Sequence, residues 1–406
     1  MLLQYIERSL EPVLQRAVRE FPVVVLTGPR QSGKTTLLKH LFGSYEYVSL
    51  EFPDFRAAAA SDPRGFLDLY SPPVIFDEVQ YAPDLFPYIK ERVDARRDQA
   101  GQYLLSGSQN LLLAERVSES LAGRAAVLRL LPLAQRELAG VPHASLPWEA
   151  DALEQKRPII AHLALWQGFL RGGYPELAAD AERDRALWHG SYVQTYLERD
   201  VRLIRQVGDL ATFQNFLRVL AVRSGQLLNM ADISRDLGVA LNTVKNWLSV
   251  LEATFQIVIL RPYFANIGKR LIKSPKVYFA DVGTLCYLVG LRDPQHAAAG
   301  PMGRQIFETA VLAEIAKTLA HRGEALPVYF WRTAAGEEVD FIVEYQGKLV
   351  PLEVKLSATP RRTMAASIER LRTDFGERLA RGYVIHPGDV RLPLGTTAES
   401  LPFSLL

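Results

Sequence analysis

Cysteine is almost missing. Cys286 is the single one in 406 residues, which excludes an internal disulfide and any metal site built on several thiolates. The seven histidines show no HxxxH or HxH spacing, so structural zinc is not expected either. No apolar run reaches the roughly 18–20 residues needed to cross a bilayer, and Glu7 and Glu11 stand where a signal peptide would be apolar. The sequence therefore predicts a cytoplasmic protein with no membrane partner. An excess of one charge is lacking too: 47 basic and 45 acidic residues leave a net charge of +2. Any attraction to nucleic acid must come from local clustering rather than from a global field. Low-complexity sequence is confined to Ala57–Ala60.

What is present is apolar material: hydrophobic residues make up 48% and charged residues 23%, enough for several packed cores. At roughly 100–200 residues per domain, the length predicts two to four domains. Residues 2–20 have helical spacing and lead into the apolar strand Val23–Leu26. Strand-like runs recur at 47–50, 74–76 and 103–105, with helical stretches at 34–41 and 86–97 between them. That alternation predicts a mostly parallel α/β sheet over residues 1–140. A connector at 141–157 precedes a helical block at 158–209. Over 210–293 a helix, the turn residue Gly238, a second helix and a strand at 255–261 read as a winged-helix-like segment. Residues 294–303 (PQHAAAGPMG) read as a linker, and 303–406 as a last α/β domain.

The stretch Gly28, Pro29, Arg30, Gln31, Ser32, Gly33, Lys34, Thr35 fits GxxxxGK[ST] between a buried strand and a helix, the context that marks a phosphate-binding loop. Its glycines let backbone N–H groups wrap a phosphate, Lys34 adds a point charge, and the Thr35 hydroxyl reaches Mg2+, with Thr36 as a weaker hydroxyl candidate. The strand Val74–Phe76 ends in Asp77 and Glu78, which suit a Mg2+ shell and an attacking water respectively. Together these predict binding and hydrolysis of ATP. Ser108 or Gln109, after the next strand, is placed to sense the γ-phosphate, or is a plain turn residue. Arg124, after Gly123, suits a finger reaching into a neighbouring copy of the chain, or a surface ion pair.

A second constellation lies near the C-terminus. Asp340 opens one strand, and Glu353 and Lys355 alternate on the next, so all three fall in one place if the strands pair. Asp340 and Glu353, completed by Glu308 or by Glu338, suit a divalent metal, Mg2+ or Mn2+, with Lys355 stabilising charge at a phosphodiester. The plainer reading is a cross-strand ion pair facing water. For DNA, Asn242, Thr243, Lys245 and Asn246 open the second helix of the turn. The stretch 261–276 holds Arg261, Lys269, Arg270, Lys273 and Lys276 with no acidic residue, a basic wing suited to the phosphate backbone.

Taken together, GPRQSGKTTL (28–37), VIFDEVQYAPDLFPYIK (74–90), LLSGSQN (104–110), ESLAGR (119–124), RGGYPE (171–176), TYLERDV (195–201), EEVDFIV (337–343) and PLEVK (351–355) give the chain its likeness. It resembles a bacterial and archaeal family of AAA+-type ATPases with a C-terminal domain of unknown function. The resemblance implies an AAA+ core, a helical lid over 158–209, a winged-helix segment, and a C-terminal domain similar to the PD-(D/E)xK, or restriction-endonuclease-like, nucleases. The pattern departs at LEFPDFR (50–56), where Glu51 stands in place of an expected aspartate. The combination predicts a DNA-associated ATPase with a nuclease-like domain; the alternative is a nucleotide-driven switch whose C-terminal domain binds a partner without cleaving.

Overall fold

The structure is a computed structural model that describes residues 5–108, 119–149, 159–197, 210–264, 274–333 and 336–406. Five strands, β1 (Val23–Thr27), β2 (Glu46–Ser49), β3 (Val74–Asp77), β4 (Tyr103–Gly107) and β5 (Ala125–Arg129), form a parallel sheet in the order β2-β3-β4-β1-β5. Every residue of β1 is buried, as a central strand covered on both faces requires. The period of two sorts its side chains: Val23 and Val25 enter one core, Val24 and Leu26 the other. Helices α1 (Glu11–Glu20) and α2 (Lys34–Leu41) cover the second face through Leu14, Val18, Leu37 and Leu38. Helices α3 (Pro53–Ser61), α4 (Pro63–Leu69) and α5 (Leu85–Ala95) cover the first through Ala59, Phe66, Leu85 and Ile89. A short helix α6 (Gln135–Leu138) follows the sheet.

The middle of the chain is mainly helical: α7 (His162–Arg171), α8 (Pro175–Ala178), α9 (Arg185–Tyr192), α10 (Leu210–Val222), α11 (Met230–Leu237) and α12 (Leu241–Ala253). Asn229 caps α11 by accepting from the Ala231 and Asp232 N–H groups, and Gly238 closes it at φ 66°, a left-handed turn that glycine adopts without strain. An antiparallel pair, β6 (Ile257–Leu260) and β7 (Lys276–Phe279), follows α12. Then come α13 (Val282–Leu288) and α14 (Pro294–Ala299). Residues 294–299 of the expected linker at 294–303 therefore form a helix, with Asp293 as its cap and Ala297 in the core. Its alanines and flanking glycines read as loop composition, whereas Asp-Pro is also a helix-start signal.

The last part holds α15 (Gly303–His321), β8 (Val328–Arg332), β9 (Glu338–Tyr345), β10 (Lys348–Val354), α16 (Ala366–Phe375), β11 (Gly382–His386) and β12 (Ala398–Pro402). Its sheet runs β12-β11-β10-β9-β8, antiparallel from β8 to β10 and parallel from β10 to β12. One apolar core extends from Leu146 through α7 to α13 and into this sheet, so the expected boundaries within residues 141–406 do not divide the packing. Nearly all of α15 is buried, polar residues included. A helix enclosed all round has elements packed on every side. No described helix is long and apolar enough to cross a membrane.

Candidate functional site

The phosphate-binding loop leaves the carboxyl end of β1 and enters α2 through three residues with positive φ, Gly28 (151°), Gln31 (60°) and Gly33 (95°). Only glycine fits at 28: a Cβ there would lie 2.1 Å from the Leu130 carbonyl oxygen. Lys34 lies across the loop and donates to the Gly28 and Pro29 carbonyls at 3.0 and 2.9 Å. A cavity of about 400 Å³ opens over Gln31, Gly33, Lys34, Thr35 and Thr36, faced by Glu78 and closed by Pro175 and Glu176 at α8. Arg30 turns aside to donate to the Tyr81 hydroxyl at 3.2 Å, and Ser32 is fully buried.

Asp77 gathers hydroxyls. Its Oδ2 accepts from Thr35 Oγ1 and from the Tyr47 hydroxyl, each at 2.7 Å; its Oδ1 accepts from Ser106 Oγ and from the Glu78 N–H, the latter at 3.1 Å. Because β4 lies between β1 and β3, Ser106 on β4 bridges the gap between the loop and Asp77. Burial, then the hydrogen bond to Asp77, pushes the Tyr47 hydroxyl above its usual range. Glu78 sits at φ 55°, an uncommon conformation for a residue with a Cβ. Its carboxylate faces the cavity and accepts from Gln80 and, at 3.2 Å, from Ser108. Thr35, Asp77, Glu78 and Lys34, named from sequence, thus meet at one edge of the sheet, with Ser108 beside Glu78. Gln109 lies outside the described residues.

Arg124 is elsewhere. Its carbonyl bonds to the N–H of Val23 at the start of β1, so it stands at the opposite end of the sheet from the loop. Its guanidinium holds both Asp94 oxygens on α5, one at 2.9 Å. The structure does not bring Arg124 to its own phosphate-binding loop.

In the C-terminal sheet the register pairs Leu352 with Phe341; continued by one residue it sets Glu353 opposite Asp340, on one face. Asp340 Oδ2 accepts from the Val354 N–H at 2.7 Å. Burial, then the charge of Asp340, pushes the Glu353 carboxyl up to about 7, and Lys355 Nζ bonds to its Oε1. The other oxygen, Oε2, is buried without a hydrogen-bond partner among the described residues. Glu308 sits nearby, its carboxyl pushed up by burial and by Asp340. Cations already hold this cluster, however. Lys276 on β7 donates to Glu308 at 3.2 Å and to Glu338, and Arg304 lies 3.5 Å from Asp340.

Among the described residues no three Asp, Glu, His or Cys side chains are placed to hold a metal ion. Of the expected set of Glu308, Asp340 and Glu353, Glu308 accepts from Lys276 at 3.2 Å and from the Tyr278 hydroxyl at 2.6 Å. Lys276 also leaves the expected basic wing: it is buried, facing carboxylates rather than solvent. Lys269, Arg270 and Lys273 lie outside the described residues. Asn242 and Lys245 are exposed on α12 and Thr243 is half-buried, while Trp247 and Leu248 pack in the core.

Sequence reasoning missed Tyr47, Arg304 and the inward role of Lys276, each of which joins a site from a separate strand or helix. Ser106 was legible as a polar residue at a strand's carboxyl end beside the motif.

Comparison with known proteins matches an AAA domain over residues 20–139, a domain of unknown function (DUF8612) over 163–295, and another (DUF4143) over 304–406. Mb2031c of Mycobacterium bovis and Rv2008c of Mycobacterium tuberculosis are each 34% identical over 391 residues, covering 96% of this chain and 82% of their own. Among solved structures, the Walker-type ATPase PABY2304 of Pyrococcus abyssi aligns with a TM-score of 0.47 at 16% identity, over 70% of this chain and 96% of its own. RuvB of Thermotoga maritima aligns with a TM-score of 0.29 at 16% identity, over 61% and 88%. With its phosphate-binding loop, its parallel sheet and relatives matched along nearly its whole length, the chain belongs to the family of AAA-type P-loop ATPases that end in a DUF4143 domain.

Proposed function

We propose that this protein is a Mg2+-dependent ATPase that acts on or beside DNA, in the cytoplasm. The observation that carries the ATPase reading is the meeting of Thr35, Asp77, Glu78 and Lys34 around one cavity. The Thr35 hydroxyl and the Asp77 carboxylate are hard oxygen donors 2.7 Å apart, the donor chemistry Mg2+ takes; bound there, the ion would neutralise charge on the β- and γ-phosphates. Gly28 to Thr36 cradle the phosphates, with Lys34 exchanging its carbonyl partners for phosphate oxygens. Glu78, fixed by Gln80 and Ser108, orients the attacking water and takes up its proton. The test is a pair of variants. Lys34→Ala abolishes tight ATP binding, whereas Glu78→Gln keeps binding and lowers turnover by about 10²-fold or more. Equal turnover by Glu78→Gln and the parent would remove Glu78 from the mechanism. Arg124 acts, if anywhere, on a neighbouring copy, and mixing Arg124→Ala with Glu78→Gln chains restores turnover only in that case.

The DNA reading is supported by the α11–turn–α12 arrangement with the β6–β7 pair behind it, a winged-helix-like layout. The exposed Asn242 and Lys245 sit at the start of the second helix, where such modules meet base edges and phosphates. The C-terminal sheet, with Asp340, Glu353 and Lys355 on one face, supports a nuclease-like domain taking Mg2+ or Mn2+. A second reading, a switch whose C-terminal domain binds without cleaving, is favoured by the cations already set on Glu308, Glu338 and Asp340. Incubation of duplex, single-stranded and branched DNA with each metal separates the two. Cleavage lost in Glu353→Ala supports the nuclease; no cleavage by the parent protein supports the switch.

A further inference from the structure

Arg8 precedes every motif named above and belongs to none of them, yet it is buried on the wall of the nucleotide cavity. Its guanidinium donates on three sides: Nη1 to the Ser32 carbonyl at 2.9 Å, Nη2 to the Leu131 carbonyl at 2.7 Å, and Nε to Glu137 Oε1 at 3.2 Å. Ser32 is the residue before Gly33, inside the phosphate-binding loop. A trans peptide points its C=O and its N–H in opposite directions. Holding the Ser32 oxygen against Arg8 therefore aims the Gly33 N–H away from it, and N–H groups at this position of such a loop are the ones that cradle phosphate. An arginine needed only for packing would have Glu137 as its partner; the bond to the loop adds nothing to that role.

Glu137 continues the connection. It is enclosed, and its two oxygens also accept from the Ser9 N–H at 2.7 Å and the Ala134 N–H at 2.8 Å. Burial works to raise its carboxyl, but Arg8, His321 and the Ala134 N–H hold it well below the usual carboxylate range. His321, at the end of α15, stands on the other side. Its Nε2 lies 3.1 Å from the Leu131 nitrogen and 3.3 Å from the Leu131 carbonyl oxygen, and its Nδ1 lies 3.1 Å from Glu137 Oε1. Polar contacts thus run from the Ser32 carbonyl through Arg8 to His321, by way of the Glu137 carboxylate on one side and the shared Leu131 carbonyl on the other. The same helix is tied to the ATPase domain by Lys317 Nζ on the Leu133 carbonyl at 3.1 Å and by Glu314 accepting from the Gln135 N–H at 2.7 Å. At its other end it carries Arg304 and Glu308, among the C-terminal carboxylates.

We infer that Arg8 is a positioning residue of the ATPase site: it fixes the Ser32–Gly33 peptide for phosphate and, through Glu137 and His321, makes the seating of α15 respond to the nucleotide. The inference rests on nucleotide binding at the loop. The test is hydrogen exchange of residues 314–321 in the full chain, with and without ADP and a non-hydrolysable ATP analogue, for the parent protein, Arg8→Lys and His321→Phe. Binding of a fluorescent ADP is measured in parallel. In the parent, nucleotide changes the exchange rate of this segment several-fold. In Arg8→Lys, which keeps the charge but loses the fork, ADP binds several-fold more weakly and, at saturating ADP, the change at 314–321 disappears; in His321→Phe, which leaves the Arg8 bond to the loop in place, ADP binds as in the parent and the change at 314–321 also disappears. Retention of the response in both variants overturns the inference, as does a parent protein that binds ADP with no change at 314–321. A parent protein that binds no nucleotide overturns the reading beneath it, and the binding measurement tells the two failures apart.

Discussion

The molecule has two acidic sites, each assembled from strand-end carboxylates with a lysine near by, and their surroundings differ. Around Asp77 the donors are neutral: the hydroxyls of Thr35, Tyr47 and Ser106. Around Asp340, Glu353, Glu308 and Glu338 the neutral donors, the Tyr278 hydroxyl and the Val354 N–H, are joined by the cations Arg304, Lys355, Lys276 and Arg332. A hydroxyl can rotate from donating to accepting without moving a charge, so a cation can enter beside Asp77 at little cost. Entry beside Glu308 requires an ammonium to leave a buried position, which exposes an uncompensated carboxylate. Carboxylates alone therefore do not define a metal site; what already neutralises them decides whether an ion can come in.

The largest effect that would break this contrast is expected at the hydroxyl-lined site. Asp77→Asn should lower ATP turnover by about 10²–10³-fold while leaving the melting temperature nearly unchanged, because the neighbouring hydroxyls can re-pair with an amide. Steady-state hydrolysis and thermal melts check both halves, and a large fall in melting temperature would show that Asp77 is as tightly compensated as the C-terminal cluster. Next comes Lys276→Ala, which strips buried Glu308 of its cation and should cost about 3–5 kcal/mol of unfolding free energy in denaturant titration. Adding Glu308→Gln should recover much of the loss; no recovery would mean that Lys276 matters for packing and not for charge.

The smallest and most diagnostic effect is on pH dependence. The folded carboxyl of Glu353, at about 7, lies above its unfolded value, so the folded chain holds the extra proton between roughly pH 4.5 and 7. Its contribution is therefore favourable at the acid end and is lost as pH rises through 7, by up to about 3 kcal/mol. In chelator-treated protein, Glu353→Gln should flatten the fall in stability between pH 5 and pH 8. An unchanged slope would place the titration on another group.

The ATPase site was legible because its chemistry is local: loop glycines, Lys34 and Thr35 are contiguous, and Asp77 with Glu78 ends an apolar strand. That Glu353 and Lys355 share a face also followed from alternation, while the register that sets Glu353 opposite Asp340 needed the fold. Lys276 did not, since a basic residue among Arg261, Lys269, Arg270 and Lys273 reads as part of a solvent-facing wing. Only the tertiary fold shows that β7 turns it toward a glutamate 32 residues on. Arg8 gave no signal for the same reason, its partner Glu137 lying 129 residues away. The stretch 294–303 falls where the two family matches meet, but its helical part, 294–299, was not legible, because alanine and glycine fit loop and helix alike until the capping Asp293 is weighed.

The enclosure of α15 sets a timetable for synthesis. The chain is made from its N-terminus, and early domains fold as they emerge, but the Leu131 N–H finds its imidazole partner only 190 residues later. Until α15 arrives, Glu137, Gln135 and Leu133 are without His321, Glu314 and Lys317. A half-made chain on the ribosome therefore has the phosphate-binding loop before it has the helix whose side chains meet Leu131, Leu133 and Gln135.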